Sequence, residues 1–307
     1  MKSTVVLTAA FPAVARNLLA GEFDVIEHPT EVVRTEEEMI TILAEADAAI
    51  TLLSDPLTRR VLSANPNLRL IANFAVGYNN VDVEAARELG IVVTNTPGVL
   101  TEATADLTMA LMLAVMRRIV EGDLEVRGSG RCEWDPLKLL GASLQEKTLG
   151  LVGMGRIGSA VANRARGFGM KIVHHSRSGG VGLDELLGTS DVVSLHAPLT
   201  DDTRHIIDRD ALRRMKRGSY LINTSRGPLI DEEALCDALE SGHLRGAGLD
   251  VYEDEPRINP RLLALSNAVI VPHIGSATEE ARNGMAMLAA TEVLRYFRRQ
   301  PPLNRVP

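Results

Sequence analysis

Four short segments of the chain hold residues able to do chemistry. Gly153-Met154-Gly155-Arg156-Ile157-Gly158 follows an apolar run and opens a helical one. In that setting the first glycine permits a tight turn, the second lets backbone approach a pyrophosphate, and the third allows close packing of helix on strand. The helix start then offers free N–H groups and a partial positive charge to phosphates. Further along come Arg226 in Asn223-Thr224-Ser225-Arg226-Gly227, Glu255 after Asp250-Val251-Tyr252-Glu253-Asp254, and His273 between Val271-Pro272 and Ile274-Gly275-Ser276. Singly, each has an ordinary explanation: an exposed Arg in a turn, an acid in an acidic loop, a histidine after a proline. Together they supply a cation, a carboxylate and an acid that titrates near neutral pH, which is what reduction of a 2-oxo acid demands.

The glycine loop carries a second expectation. NAD sites place an Asp or Glu about 20 residues on, where it accepts hydrogen bonds from the ribose 2′-OH. Here that stretch is His174-His175-Ser176-Arg177-Ser178, without a carboxylate. Arg177 can instead pair with a 2′-phosphate through charge-assisted hydrogen bonds, with Ser176 beside it. NADP(H) is therefore the expected cofactor, with NAD(H) as the second choice.

The elements that must position these residues follow from the apolar pattern. Short β-branched runs at 4–8, 24–28, 48–53, 68–75 and 91–94 alternate with amphipathic segments such as 35–46, the signature of a parallel sheet. A long helix is predicted over 101–122. A second alternating series gives strands at 149–153, 171–175, 192–195, 220–223, 246–250 and 268–271. A last helix over 278–300 has no strand of its own to serve. The fold class is α/β, with two doubly wound parallel-sheet (Rossmann-like) domains. Met109, Met112 and Met116 lie at helical spacing and read as core. His28, His174, His175, His205 and His243 lack a partner at ligand spacing and read as surface or packing residues.

Composition excludes other classes. At 307 residues, two domains are favoured over one. A net charge of −7 with 3% aromatic residues argues against a nucleic-acid surface. Cys132 and Cys236 form neither a metal pattern nor a disulfide framework, so no metal is expected and the compartment is reducing. The most apolar helical stretch, 107–115, is about half of the roughly 20 residues that a bilayer span needs. A cytoplasmic protein without a membrane partner is expected.

The glycine loop, the Arg226 turn, Asp250-Val251-Tyr252-Glu253-Asp254-Glu255-Pro256 and Pro272-His273-Ile274-Gly275 resemble the signature segments of the D-isomer-specific 2-hydroxyacid dehydrogenases, and the intervals between Arg226, Glu255 and His273 fit as well. Within the family the chain is most similar to the glyoxylate/hydroxypyruvate reductase branch. The resemblance implies reduction of small 2-oxo acids to D-2-hydroxy acids in a cleft between two domains. His273 would give the proton, Glu255 would orient it and favour its protonated form, and Arg226 would bind the carboxylate, the carbonyl oxygen or both. Asn73-Phe74-Ala75-Val76-Gly77-Tyr78-Asn79-Asn80 resembles the loop whose N–H groups, around Val76 and Gly77, hold the substrate carboxylate, and Leu53 resembles its neighbouring wall. Thr104, Ala197, Pro198, Thr203, Thr224, Ser225, Asp250 and Gly275 match positions near the cofactor.

The resemblance also implies a discontinuous substrate domain, 1–98 plus 276–307, around a dinucleotide-binding domain at 99–275. It implies a homodimer, in which Trp134 could reach the partner's active site. A 2-ketogluconate-type dehydrogenase and a dinucleotide-sensing, corepressor-like binding protein are the alternatives on the same fold. One departure stands out: residues 178–183 are shorter than the corresponding segment of relatives, so a strand is expected to be missing there.

Overall fold

The computed structural model describes residues 2–29 and 33–307. The chain divides into two compact units, Met1–Leu100 with Ala277–Pro307, and Thr101–Ser276. The first unit runs β1 (Thr4–Leu7), α1 (Ala13–Leu19), β2 (Asp24–Glu27), α2 (Glu36–Leu43), β3 (Ala48–Thr51), α3 (Arg59–Ser63), β4 (Leu70–Asn73), α4 (Val83–Glu88) and β5 (Val92–Thr94). The second runs α5 (Thr101–Met116), α6 (Ile119–Ser129), β6 (Thr148–Val152), α7 (Arg156–Gly167), β7 (Lys171–Ser176), β8 (Gly179–Gly180), α8 (Leu183–Thr189), β9 (Val192–Leu195), α9 (Arg209–Arg214), β10 (Tyr220–Asn223), α10 (Glu232–Glu240), β11 (Gly246–Leu249), α11 (Pro260–Ala264) and β12 (Ala268–Ile270). The last helix, α12 (Glu279–Phe297), belongs to the first unit.

The first sheet is parallel throughout, in the order β2-β1-β3-β4-β5. Strands β3 and β4 are buried along their whole length, as a parallel sheet covered on both faces requires. Helix α2 starts at a capping box, with Thr35 and Glu38 satisfying each other's backbone N–H groups. Helix α12 packs on α1, β3 and β4, burying Ala281, Met285, Ala286, Ala289, Ala290 and Val293.

The second sheet runs β12-β11-β10-β9-β6-β7-β8, parallel except for β8. The strand order reverses at β6, between β7 and β9, where open α/β sheets place their ligands. Helix α5 packs against α7, β10, β11 and β12. Its Met109, Met112 and Met116 are buried in that core.

Two expectations need correction. The helix predicted over 101–122 stops at Met116, because Ala142 N–H returns to take the Met116 carbonyl at 2.8 Å and Arg118 adopts a left-handed backbone (φ 55°) before α6 begins. The short segment after Arg177 does hold a strand: β8 pairs antiparallel with β7. Gly179 and Gly180, both at positive φ, allow the reversal. Among the described residues, no helix is long and apolar enough to cross a membrane.

Candidate active site

The second unit gathers its polar residues at the C-terminal ends of its strands. Gly153 follows β6 with φ +101°, and a Cβ there would come within 2.6 Å of the His196 backbone after β9. A Cβ on Gly158 would collide with the Gly153 carbonyl, so α7 sits closer to the strand than any other residue permits. At Gly155, the N-cap of α7, a Cβ would meet nothing within 4 Å, and no side chain caps the first amides of that helix. The loop therefore leaves open space in front of the amides of Arg156 and Ile157, and this fits the pyrophosphate of a dinucleotide.

On the other side of the switch point, His196 lies on Ser194 Oγ at 2.9 Å. Burial pushes its imidazole down to about 4, so it is neutral and acts as packing beside Ala197 and Pro198. Thr203 Oγ1 donates to the Pro198 carbonyl at 2.7 Å and Ser225 Oγ to the Ala197 carbonyl at 2.6 Å. These two bonds fix the 196–198 loop to its own return segment and to the Arg226 turn. Ser176 and Arg177 stand at the β7–β8 hairpin, where Ser176 Oγ donates to the Gly179 carbonyl at 3.0 Å.

Arg226 follows β10 in a turn that Asn223 organises: its Oδ1 accepts from Ser225 N–H at 3.0 Å and its Nδ2 donates to the Arg226 carbonyl at 2.9 Å. The next residue, Gly227, packs directly on the backbone of Tyr252 and Glu253 and leaves no room for a Cβ. The Arg226 turn is thereby seated against the loop that carries Glu255. Burial lowers the pKa of the half-buried guanidinium and the nearby Glu255 carboxylate raises it; arginine stays a cation throughout.

Glu255 Oε2 meets His273 Nδ1 at 2.8 Å, while Glu255 Oε1 accepts from Tyr252 N–H at 2.9 Å. Burial alone would raise the Glu255 pKa. The hydrogen bond from His273, its charge, the Tyr252 amide and Arg226 outweigh that and hold the carboxyl below its usual range. With Nδ1 committed to Glu255, the ring nitrogen left for a ligand is Nε2. Both side chains keep an open face, 27% exposed for His273 and 30% for Glu255.

His273 also sits in left-handed backbone, φ 52°, a conformation that costs a non-glycine residue roughly 1–3 kcal/mol. The buried Asp250 holds it there. Its Oδ1 accepts from Ile274 N–H at 2.6 Å and its Oδ2 from Gly275 N–H at 2.8 Å. Burial pushes the Asp250 carboxyl up, against the pull of those amides and of His273. Thr104 Oγ1 donates to the Gly275 carbonyl at 3.1 Å, and Thr108 links the Thr104 carbonyl to Thr224 Oγ1 at 2.8 Å on each side. Thr104, Thr224, Asp250 and Gly275 thus form one connected support beneath the His273 loop.

Two features escape the sequence reading. His205, which has no partner at ligand spacing in the sequence, lies 2.5 Å from Glu253 Oε1, and Glu253 N–H donates to Glu232 Oε1 at 2.5 Å while Glu253 Oε2 accepts from Glu232 N–H at 3.2 Å. This network braces the loop that carries Glu255 on α10; its members are far apart in sequence, which leaves no local signal. Thr108 is the other, a hydroxyl inside a helix whose pattern reads only as core. The remaining substrate-wall candidates, Leu53, Val76 and Gly77, stand in the first unit, on loops after β3 and β4.

Dinucleotide-shaped backbone beside a carboxylate-held imidazole and an arginine, all on one sheet edge, defines an oxidoreductase of the nicotinamide-dependent kind. Residues 109–275 match the family described as D-isomer specific 2-hydroxyacid dehydrogenase, NAD binding domain. The chain belongs to the D-isomer-specific 2-hydroxyacid dehydrogenases. A glyoxylate reductase of Thermococcus litoralis is 50% identical over 277 residues, which span 85% of this chain and 84% of that protein. A solved structure from Thermus thermophilus is 47% identical, with a TM-score of 0.94 over 99% of this chain and all of the other. An NADPH-dependent glyoxylate/hydroxypyruvate reductase of Sinorhizobium meliloti, solved with NADP and malonate, is 31% identical, with a TM-score of 0.88 over 100% of this chain and 97% of the other.

Proposed function

We propose that the protein reduces glyoxylate and hydroxypyruvate to the corresponding D-2-hydroxy acids, with NADP(H) preferred over NAD(H). The observation that carries the reading is the His273–Glu255 pair at 2.8 Å, aimed from a strained loop on the sheet edge that also holds Arg226 and the glycine loop. When bound, the reduced nicotinamide supplies the hydride for the carbonyl carbon. His273 donates its Nε2 proton to the carbonyl oxygen, and Glu255, on Nδ1, holds the ring in the orientation for that donation. Arg226 binds the carboxylate, the carbonyl oxygen or both through its planar fork, and the amides of Val76 and Gly77 take the carboxylate beside the wall at Leu53.

Gly153, Gly155, Arg156, Ile157 and Gly158 cradle the pyrophosphate, and Ser176 and Arg177 take the 2′-phosphate. Thr104, Ala197, Pro198, Thr203, Thr224, Ser225, Asp250 and Gly275 line or support the rest of the cofactor site. Ile119, Leu124, Trp134 and Leu137, all strongly exposed, form the contact surface of a homodimer, which light scattering would register as twice the mass of one chain. Cys132 and Cys236 are free thiols, in keeping with a cytoplasmic setting.

The test is a panel of 2-oxo acids with NADPH and with NADH, followed by cofactor absorbance. Turnover of glyoxylate and hydroxypyruvate with a higher kcat/KM for NADPH is expected. Absence of turnover on the panel would overturn the reaction, and a higher kcat/KM for NADH would overturn the cofactor preference alone.

A further inference from the structure

The loop after β4 is held in an unusual way. Its three successive carbonyls are each pinned: Ala75 O accepts from Thr96 N–H at 2.9 Å, Val76 O from Asn95 Nδ2 at 2.7 Å, and Gly77 O from Asn73 Nδ2 at 3.0 Å. The peptide bonds here are trans, so each N–H lies in the same plane as the preceding carbonyl and points the opposite way. Pinning the three carbonyls therefore fixes the directions of the Val76, Gly77 and Tyr78 N–H groups. None of those N–H groups has a hydrogen-bond partner among the described residues, although Val76 and Gly77 are half-buried and backbone donors away from water are nearly always paired.

The two asparagines are themselves anchored. Asn73 is fully buried, and its Oδ1 accepts from Thr51 Oγ1 and from Asn80 Nδ2, each at 3.3 Å. Asn80 Nδ2 also reaches the Leu52 and Asp55 carbonyls at 3.0 and 3.1 Å, which ties in the wall around Leu53. Asn95 N–H donates to the Asn304 carbonyl at 3.2 Å. Residue 304 lies in the C-terminal tail, which lays Arg305 antiparallel against Thr94 and donates Val306 N–H to the Val93 carbonyl. That tail is fastened by Glu292 of α12, a carboxylate 1% exposed that accepts from Leu303 N–H, Asn304 N–H and Asn304 Nδ2. A buried carboxylate is tolerated only with such donors.

We infer that Asn95 and Asn73 are positioning residues that aim the Val76–Tyr78 amides at the substrate carboxylate, and that the C-terminal tail, through Asn304 and Glu292, is part of that aim. The inference rests on the reading that these amides take the carboxylate. Of the two side chains with this shape, asparagine and aspartate, only asparagine carries a donor for the Val76 carbonyl. Aspartate has the same shape but would set a charged acceptor against that carbonyl and turn the peptide plane.

The experiment compares wild type, Asn95→Asp, Asn95→Ser, a chain lacking residues 303–307, and Val76→Pro, which removes one of the amides. Each is measured for kcat, for KM with glyoxylate and with NADPH, for inhibition by oxalate, and for melting temperature. In Asn95→Asp, the KM for glyoxylate and the Ki for oxalate should rise about tenfold or more, as loss of a hydrogen bond to a charged group implies, with the KM for NADPH unchanged. The shortened chain should move the same two constants in the same direction. A purely structural role would lower melting temperature and spare this split. Glyoxylate KM and oxalate Ki both within about twofold of wild type in Asn95→Asp, when Val76→Pro raises them, would overturn the inference and leave the carboxylate reading standing. No change in Val76→Pro would overturn that reading itself. If Asn95→Asp does not fold, Asn95→Ser and the shortened chain decide by the same criteria.

Discussion

Each of the two units holds a loop whose backbone amides we propose as anion ligands, and the two loops are built differently. In the second unit the loop from Gly153 to Gly158 relies on missing side chains: the chain turns at positive φ, presses against the His196 backbone and opens directly into a helix N-terminus. In the first unit the loop from Ala75 to Gly77 relies on side chains that are present, since Asn73 and Asn95 hold its carbonyls. One site is shaped by what glycine leaves out, and the other is aimed by amide groups brought from elsewhere in the fold. A glycine-shaped site should therefore fail abruptly when a Cβ is added, whereas an asparagine-aimed site should weaken by degrees.

Gly153→Val is the sharpest way to break this contrast. Its Cβ would occupy the space of the His196 backbone, at a φ that L side chains rarely adopt, and dinucleotide affinity measured by cofactor fluorescence should fall about 100-fold or more. Unchanged affinity would mean that the close approach is unnecessary. Next comes Arg226→Lys, which keeps the charge but loses the planar fork. It should raise KM for the 2-oxo acid and lower kcat, for a combined loss of about 10- to 100-fold in kcat/KM.

Glu255→Gln should have the smallest effect on the maximal rate and the clearest effect on its pH dependence. Burial would raise the Glu255 carboxyl, and the hydrogen bond and charge of His273 outweigh it and hold the group below its usual range, so the orienting carboxylate persists to lower pH than an ordinary glutamate would. Glutamine does not titrate, so the acidic fall in rate that protonation of Glu255 causes should be missing from the pH–rate profile of the variant, with kcat lower by about tenfold at neutral pH. An acidic limb unchanged in the variant would detach Glu255 from the proton donor.

Much of the second unit is legible in the chain. The glycine loop, the Arg226 turn and His273 sit at strand ends that the apolar runs delimit, and parallel sheets place ligands at those ends. The supports are harder to read. Family resemblance places Asp250 near the cofactor, and the structure adds a second task, with both its oxygens on the amides that follow His273. No local pattern announces a carboxylate that reaches across two strand ends. The His205–Glu253–Glu232 network is similarly scattered. The helix break at Arg118 depends on Ala142 returning to Met116, a contact that helical periodicity does not contain. In the first unit, only family resemblance leads to the loop at Val76 and Gly77, because its chemistry lies in backbone groups that every sequence has. Asn95 and Asn304 meet only after the chain has folded.

The central claim is that His273 is the proton donor, held by Glu255 for reduction of a small 2-oxo acid. The most direct test follows hydroxypyruvate turnover in the wild type and in His273→Ala at saturating substrate and NADPH, with chiral analysis of the glycerate formed. D-glycerate from the wild type, and a kcat lower by about 100- to 10,000-fold in the variant with NADPH affinity retained, is the predicted result. D-glycerate formed by His273→Ala at the wild-type rate would contradict the assignment.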